Sequence, residues 1–290
     1  MILGMVESNF GTLIESRLRV VTWNIWWQFG PWEQRLPAII ETLRRLDADV
    51  ILLQEVWIDL ATGESSAARI AEALGFDPTH VVTANRADLD GLGFANAVIS
   101  RYPITHHEWR PLFSPEIFEE YRTVLRADID GPRGPVQVFT THLHWRLDHS
   151  HIRQVQVREI CRFIRESPKR TFPAILGGDF NADPLSDEIR MLTGRMAVPE
   201  PPLAFFDAWE SAGDRTKAAS AVADPGDTWS NENPYAVADL EPSRRIDFLF
   251  TGFPKQGGAG HAVHAEVVGV DAIGGVVPSD HYGVLADIRY

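Results

Sequence analysis

Hydrophobic and polar positions along the 290-residue chain follow two periodicities. Apolar residues three or four positions apart indicate amphipathic helices, whereas short continuous apolar runs bounded by Gly and Pro indicate buried strands. The helical pattern predicts helices at 32–46, 66–74 and 149–164. The apolar runs predict strands at 19–25, 49–55, 81–83, 96–100, 123–129, 136–141, 174–177, 228–230, 245–250, 263–268 and 283–288.

The order of these elements indicates the architecture. Helices are inserted between runs of several strands, and these runs are too long for a regular βαβ alternation. We therefore predict an α/β (α+β) fold, a four-layered sandwich of two packed mixed β-sheets flanked by helices. Residues 1–18 lack a clear period and are predicted to form a flexible N-terminal arm before a single domain at 19–290. Residues 194–226, rich in Pro, Ala, Gly and Asp, are predicted to be irregular.

Composition narrows the class of protein. A content of 44% hydrophobic and 23% charged residues is typical of globular proteins. The net charge of -13 repels polyanions unless a local basic patch overrides it, so it disfavours nucleic acid as a partner. The single cysteine, Cys161, excludes an internal disulfide and a Cys-rich zinc site. No apolar stretch is long enough for a membrane span and no secretory signal is evident, so a cytoplasmic location is expected. No pattern indicates an oligomeric state.

Polar side chains recur in or at the ends of the predicted strands. Burial of a carboxylate costs free energy unless it is paired or coordinates a metal, so several at strand ends predict one shared site. Carboxylate and amide oxygens suit hard ions such as Mg²⁺ or Mn²⁺, and histidines supply proton transfer or charge stabilisation. The residues concerned are Asn24, Glu55, His142, Asp179, Asn181, Asp247, Asp280 and His281.

Six short motifs contain these residues. They are Thr-Trp-Asn-Ile at 22–25, Leu-Gln-Glu-Val at 53–56, Thr-His-Leu at 141–143, Gly-Asp-Phe-Asn at 178–181, Arg-Ile-Asp-Phe at 245–248 and Ser-Asp-His at 279–281. Each motif alone is weak, but all six in this order resemble the endonuclease/exonuclease/phosphatase superfamily. That group includes deoxyribonuclease I, abasic-site endonucleases, inositol polyphosphate phosphatases and neutral sphingomyelinases. The resemblance covers residues 19–288 and implies a DNase I-like fold.

The resemblance also implies a metal site. Glu55 is similar to the main metal-binding acid of the family, and Asn24 to the amide that helps to place the metal and its water. Asp280 resembles the acid that contacts the metal region. The expected cofactor is one or two Mg²⁺ or Mn²⁺ ions.

The remaining motif residues resemble the family's catalytic groups. Asp179 is similar to the acid that orients or deprotonates the attacking water, and Asn181 to the amide that donates to the scissile phosphate. His281 resembles the catalytic histidine, with Asp247 as its orienting carboxylate, and either Asp179 or His281 could act as the base. His142 is similar to the histidine that contacts phosphate in nuclease and sphingomyelinase members, where abasic-site enzymes have tyrosine.

Three functions are compatible with this pattern. The leading hypothesis is a metal-dependent hydrolase of phosphoesters, a phosphodiesterase or phosphatase acting on a small-molecule or lipid-like substrate. The first alternative is a DNA or RNA nuclease, and the second is a catalytically inactive binding protein on the same fold. The acidic net charge and the scarcity of basic runs favour the leading hypothesis.

Residues near the motifs have less certain roles. Tryptophans that follow the motifs could line the mouth of a cleft or pack helices onto sheets; they are Trp26, Trp27, Trp57 and Trp145. A phosphate clamp could come from arginines that are otherwise surface residues, namely Arg86, Arg101, Arg122, Arg146 and Arg244. His144 is a weaker site candidate, whereas His149 and His151 are predicted to be solvated at the start of a helix.

Overall fold

Two six-stranded β-sheets pack face to face in the computed structural model, which describes residues 9–77, 81–118, 121–212 and 225–290, with backbone alone at 81–89. The strands are β1 (Arg17–Asn24), β2 (Val50–Asp59), β3 (Val81–Leu89), β4 (Leu92–Ser100), β5 (Ile104–Leu112), β6 (Arg122–Gly131), β7 (Gly134–His142), β8 (Ile175–Asp179), β9 (Phe205–Asp207), β10 (Asp247–Gly252), β11 (Ala262–Val268) and β12 (Gly283–Arg289). The helices are α1 (Trp32–Leu46), α2 (Ser66–Leu74), α3 (Ser150–Glu166), α4 (Asp187–Leu192) and α5 (Ala208–Ser211).

Both sheets are mixed, as predicted. The first has the strand order β11-β12-β1-β2-β4-β3 and the second β5-β6-β7-β8-β10-β9. Each contains one parallel pair, β1 with β2 and β7 with β8, and the other neighbouring strands are antiparallel. Because parallel strands run in the same direction, the carboxyl ends of each pair meet at one edge of its sheet.

Three apolar clusters hold the layers together, and alternation along the strands divides their residues among the clusters. In β1, Val20 faces the second sheet, whereas Val21 and Trp23 face the side covered by α1 and α2. In the second sheet, Val138 points into the space between the sheets and Phe139 packs against α3. The four-layered α/β sandwich predicted from the order of elements is therefore confirmed.

The structure differs from the sequence prediction in four segments. β5 was not predicted because it is an edge strand whose residues are exposed or half-buried except Leu112, and it therefore lacks an apolar run. The prediction of an irregular segment at 194–226 is wrong for Phe205–Ser211, which forms β9 and α5, and the short helix α4 was not anticipated. The strand predicted at 228–230 is wrong as well, because Trp229 makes only isolated bridges there.

The predicted arm at 1–18 overlaps β1, in which Arg17 and Leu18 pair with β12. Just before β1, the backbone N–H of Ile14 donates to Gly257 O at 2.8 Å. Residues 1–8 lie outside the described residues. No helix within the described ranges is both long and apolar enough to cross a bilayer.

Gly178 is the glycine whose replacement we expect to cost most. Its φ is +152°, and a Cβ atom there would lie 2.0 Å from the backbone oxygen of Thr141 on the neighbouring parallel strand. Gly178→Ala should therefore lower the free energy of unfolding by more than about 3 kcal/mol, measured by urea denaturation. Gly63→Ala is the matched control, because Gly63 has φ +77° with no atom within 4 Å, and it should cost only about 1 kcal/mol. Equal losses for the two variants would contradict the expected clash.

Candidate active site

The predicted site residues meet at one edge of the paired sheets. Asn24, His142 and Asp179 are the last residues of β1, β7 and β8, and Asp247 is the first residue of the antiparallel β10. A cavity of about 590 Å³ opens at this edge. Six of the predicted residues line it, namely Glu55, His142, Asp179, Asn181, Asp280 and His281. The other two, Asn24 and Asp247, lie behind them and are hydrogen-bonded to lining residues.

Asp179 lies at the centre of the site. Its Oδ2 accepts a hydrogen bond from Asn24 Nδ2 at 3.0 Å, and its Oδ1 accepts one from the backbone N–H of Asn181 at 2.9 Å. His142 Nε2 and His281 Nε2 lie 3.3 and 3.8 Å from Oδ2. The carboxylate is thus held in one orientation, with positive or donating groups around a single oxygen.

Asn24 joins two of the acids. Its amide nitrogen donates to Glu55 Oε1 at 3.1 Å and to Asp179 Oδ2 at 3.0 Å, while its oxygen accepts from the backbone N–H of Trp26 at 3.0 Å. Because only the nitrogen can donate, these bonds define the orientation of the amide. Asn24 therefore holds the carboxylates of Glu55 and Asp179 in place.

Glu55 has an unusual backbone conformation. Its φ is +54°, in the left-handed region, and the pairing of β2 with β4 shifts register between Leu53 and Val56. Such a conformation costs about 1–2 kcal/mol for a residue with a Cβ atom. The backbone N–H of Trp27, which donates to Glu55 O at 3.0 Å, helps to hold it. The irregularity turns the side chain of Glu55 into the cavity.

His281 and Asp247 form a buried pair in which His281 Nδ1 lies 2.9 Å from Asp247 Oδ2. The loop before β12 that carries His281 is fixed from two directions. Trp23 Nε1 donates to the backbone oxygen of His281 at 2.9 Å, and Asn233 Nδ2 donates to that of Asp280 at 3.0 Å. The imidazole therefore presents its Nε2 to the cavity.

His142 is held in the neutral form by Arg122. Arg122 Nη1 lies 2.8 Å from His142 Nδ1, and a guanidinium can only donate, so Nδ1 accepts and Nε2 carries the proton. Burial, together with the charge of Arg122, lowers the pKa of His142 well below its usual value. His142 thus offers an N–H donor toward Asp179.

The acids of the site resist ionisation. Burial raises the pKa of Glu55, and burial together with Asp247 raises the pKa of Asp179 to about 7. Burial and the charge of Glu55 raise the pKa of Asp280 to about 7. Burial alone would lower the pKa of His281, but Asp247 and Asp179 raise it well above its usual value. The buried acids therefore lack the counter-charge that would keep them ionised, and a bound cation would supply it.

The oxygen atoms of the site fit a divalent cation. Glu55 Oε2 and Asp247 Oδ1 are buried and have no hydrogen-bond partner in the part of the chain that the structure describes. Within the same part, Asp179, Asp247 and His281 offer ligand atoms within 4.8 Å of one another. His281 Nδ1 is already bonded to Asp247, so this trio is in part a hydrogen-bonded pair. The unpartnered Glu55 oxygen is the atom most available to a metal.

Arg35 is a functional residue that the sequence analysis missed. Its guanidinium is buried, lies 4.7 Å from the Trp26 ring centroid and donates to five backbone oxygens at 2.8–3.2 Å. The acceptors belong to Ile25, Trp26, Trp27, Phe29 and Pro278. Burial lowers its pKa to about 10. Its place four residues before Ile39, on the apolar face of the predicted helix, is the signal that could have identified it.

Arg153 holds a second loop at the site in the same manner. It pairs with buried Glu188 at 2.5 Å and donates to the backbone oxygens of His144, Arg146 and Leu147. This loop carries Trp145, which lines the cavity, as does His142 just before it. A buried arginine thus fixes each of the two loops that follow β1 and β7.

The histidines near this loop differ from expectation. His144 is buried, does not line the cavity, and its Nε2 lies 2.6 Å from His149 Nδ1. The prediction that His149 is solvated is wrong, since only 13% of its side chain is exposed and its ring lies against Phe118. His151 is exposed, as predicted.

The tryptophans that follow the motifs divide into two groups. Trp26 and Trp145 line the cavity. Trp27 donates its Nε1–H to Gly93 O at 3.0 Å, and Trp57 packs edge-on against Trp32, so these two have a packing role. The sequence analysis missed several lining residues that belong to no motif, namely Phe29, Phe94, Trp229, Asp239 and Glu241.

Two of the candidate clamp arginines reach the cavity. Arg122 and Arg244 line it, and Arg244 is ion-paired with Glu241. Arg101 pairs instead with Asp47 and Asp49, away from the cavity, and Arg146 stacks on Trp145 and Phe118. The side chain of Arg86 lies outside the described residues.

Comparisons with known proteins agree with the resemblance of the motifs. A model of the "Endonuclease/Exonuclease/phosphatase family" matches residues 21–281. The chain is similar to the "Uncharacterized protein YbhP" of Escherichia coli, with 28% identity over 178 residues, 56% of this chain and 66% of that protein. It is also similar to "Inositol phosphosphingolipids phospholipase C" of Schizosaccharomyces pombe, with 26% identity over 263 residues, 80% of this chain and 59% of that protein. The chain thus spans slightly less than two thirds of these curated relatives.

Among solved structures, truncated TDP2 from Caenorhabditis elegans superposes with a TM-score of 0.69 and 21% identity. The superposition covers 96% of this chain and 99% of that one. At this identity, the similarity establishes a common fold.

We expect Arg35→Lys to destabilise the protein by about 2–4 kcal/mol, because three donors on a flexible stem cannot satisfy five carbonyls, of which those of Ile25 and Pro278 are buried. Thermal and urea unfolding would measure the loss. The matched control is Arg45→Lys on the same helix, whose exposed pair with Glu41 contributes less than about 0.5 kcal/mol. If Arg35→Lys were as stable as this control, the carbonyl contacts would not hold the loops.

The raised pKa values predict a pH-dependent stability of the metal-free protein. Asp179 and Asp280 have pKa values of about 7 when folded, against 3.8 for the free side chain, so the folded state binds more protons between these values. Stability should therefore fall as pH rises through this window. His281 acts in the same direction, because its raised pKa stabilises the fold below the ordinary value, and this stability is lost as pH rises.

When a chelator keeps the protein free of metal, the free energy of unfolding should decrease by at least about 2 kcal/mol from about pH 5 to about pH 8. The double variant Asp179→Asn/Asp280→Asn should show a much flatter profile. If the free energy of unfolding of the metal-free protein rose over the same interval, the raised pKa values of these groups would be contradicted.

Proposed function

The chain belongs to the endonuclease/exonuclease/phosphatase family, whose members are metal-dependent phosphoester hydrolases, and from this premise we propose that it hydrolyses a phosphodiester in the cavity described above. The proposed substrate is a small-molecule or lipid-like phosphodiester, and the proposed catalytic domain spans residues 19–290. The observation that carries this proposal is the convergence of Asn24, His142 and His281 on one oxygen of Asp179, beside an unpartnered oxygen of Glu55.

In this proposal, Glu55 holds a divalent ion, Mg²⁺ or Mn²⁺, with Asp280 nearby and Asn24 fixing the Glu55 carboxylate. The support is the chemistry of the donors, since oxygen ligands prefer hard cations. When bound, the ion supplies positive charge that lowers the barrier to attack on phosphorus and stabilises the leaving oxygen. An anionic ester is then attracted to a cavity that would repel it without the cation.

The protein residues supply orientation and proton transfer. Asp179, with a pKa near neutrality, accepts the proton of the attacking water. His281 stays protonated through its pair with Asp247 and stabilises the charge that develops on the phosphate oxygens. His142 donates its Nε2–H to an oxygen of the phosphate. The side chain of Asn181, which is fixed by its hydrogen bond to Leu143 O at 3.1 Å, also contacts the phosphate.

The walls of the cavity favour a small or lipid-like ester over a polynucleotide. Aromatic side chains form much of the lining, namely Trp26, Phe29, Phe94, Trp145 and Trp229. Asp239 and Glu241 add negative charge, and among the described lining residues the only arginines are Arg122 and Arg244, which already contact His142 and Glu241. Such a cavity suits an apolar or aromatic alcohol next to one phosphate. The similarity to a fungal phosphosphingolipid phospholipase C supports a lipid-like substrate.

Two variants test the assigned residues. Glu55→Gln and Asp179→Asn should each reduce kcat about a thousandfold, roughly 4 kcal/mol of transition-state stabilisation, in steady-state assays with Mg²⁺ or Mn²⁺. Neither should lower the melting temperature of the metal-free protein at neutral pH, because each removes a buried negative charge. The exposed Glu72→Gln is the control and should retain full activity. Activity retained by both site variants would favour a catalytically inactive binding protein.

A substrate panel tests the substrate class. It compares sphingomyelin, glycerophosphodiesters, phosphomonoesters, and single- and double-stranded DNA and RNA with each metal. We expect turnover of the first two groups and little cleavage of the polynucleotides at physiological salt. Robust DNA or RNA cleavage with the other substrates inert would overturn the proposed substrate and identify a nuclease.

A further inference from the structure

A second cavity, of about 400 Å³, lies at the far end of the strands that carry the active site. Its walls include Gln137 of β7, Ala174 just before β8 and Gly252 at the end of β10, whereas the active site occupies the opposite ends of these strands. Five residue steps along β8 separate Ala174 from Asp179, which is about 16 Å at the rise of a β-strand. The two cavities are therefore separate.

The second cavity collects positive charge in an acidic protein. The whole chain has three lysines, Lys169, Lys217 and Lys255, and two of them line this cavity together with Arg165 and Arg170. None of the lining residues that the structure describes is acidic. In a chain of net charge -13, this is a local reversal of sign.

Three of these cations lack the acidic partners that most arginines of this protein have. Arg170 pairs with Asp128 at 2.9 Å. For Arg165, Lys169 and Lys255, no carboxylate of the described chain lies within ion-pair distance. The three charges are therefore available to an external anion.

The same cavity has apolar walls. Phe172, Pro173, Leu203 and Phe205 line it, and Phe253 lies at its rim with 53% of its surface exposed. Phe253 packs edge-on against the exposed Phe206 with ring centroids 5.1 Å apart. A ligand that bears both an anionic group and an apolar group would contact both kinds of wall.

We propose that this cavity binds a phosphate or carboxylate carried on an apolar group, at a site separate from the active site. Lys169, Lys255 and Arg165 contact the anionic group, and the phenylalanines and prolines contact the apolar group. This chemistry is shared by a soluble aryl or alkyl phosphate and by an anionic lipid headgroup. The proposal does not depend on the proposed hydrolysis.

The test uses anilinonaphthalene sulfonate, an apolar anion whose fluorescence rises on binding, with the full chain in a chelator. At pH 8 and without a metal, Asp179 and Asp280, whose pKa values are about 7, are mostly ionised and repel this probe. We expect saturable binding to one site and at least roughly tenfold weaker binding for Lys169→Gln/Lys255→Gln. Circular dichroism and melting temperature would establish that this variant is folded.

Matched controls separate this site from general charge effects and from the active site. Arg158→Gln/Arg162→Gln removes two exposed positive charges from α3 that do not line the cavity, and it should bind the probe as the unchanged protein does. Glu55→Gln should also bind normally, so a failure of the proposed hydrolysis would leave this result intact. Equal binding by all variants, or equal affinity for the uncharged phenylnaphthylamine, would overturn the proposal.

Two competition arms identify the source of the anion. Phenyl phosphate is titrated against the bound probe, and vesicles of phosphatidylcholine, alone or mixed equally with phosphatidylserine, are tested by co-sedimentation. Displacement by phenyl phosphate without vesicle binding supports a soluble ligand. Sedimentation with the mixed vesicles alone, lost in Lys169→Gln/Lys255→Gln, supports a lipid headgroup. If neither phenyl phosphate nor the anionic vesicles bind, the proposal is wrong.

Discussion

The burial of several carboxylates around one cavity is the constraint on which the rest of this structure depends. Two unit charges 4 Å apart repel by about 4 kcal/mol even at an effective dielectric constant of 20. The protein reduces this cost by sharing donors: Asn24 bonds to Glu55 and Asp179, and His281 lies between Asp179 and Asp247. These contacts form only when the ends of β1, β8 and β10 lie at one edge. The buried acids of the site are therefore tolerated only if the two sheets pack as they do.

Buried arginines keep the loops of the site in place. Arg35 donates to backbone oxygens on two loops, and its charge also acts on Glu55 and Asp280. A guanidinium suits both tasks because its donors spread in a plane and its charge persists when buried. Arg153 holds the loop after β7 in the same way, and the buried carboxylate of Glu188 balances its charge.

The sequence predicted the fold, and it predicted which residues the structure brings together at the cavity, because both follow from local patterns. Polar residues at the ends of apolar runs identified Asn24 and Asp179, and the grouping of strands identified two sheets. What it could not predict depends on tertiary contacts. The left-handed backbone of Glu55 depends on the pairing of β2 with β4, and the burial of His149 depends on Phe118. β5 was not predicted because an edge strand needs no alternation of apolar residues.

Under the two proposals above, the distribution of charge along the shared strands would also set the order in which ligands bind. At the active-site end, the ionised acids would repel an anionic ester, so the proposed hydrolysis requires the cation before the substrate. At the far end, Lys169 and Lys255 lie beside apolar walls, so the proposed anion would bind there with no cation required. About 16 Å of sheet separates the two ends, which exceeds the Debye length of roughly 8 Å at physiological salt. Each end would therefore select its ligand by the charge of its own residues. The net charge of the whole chain predicts neither preference.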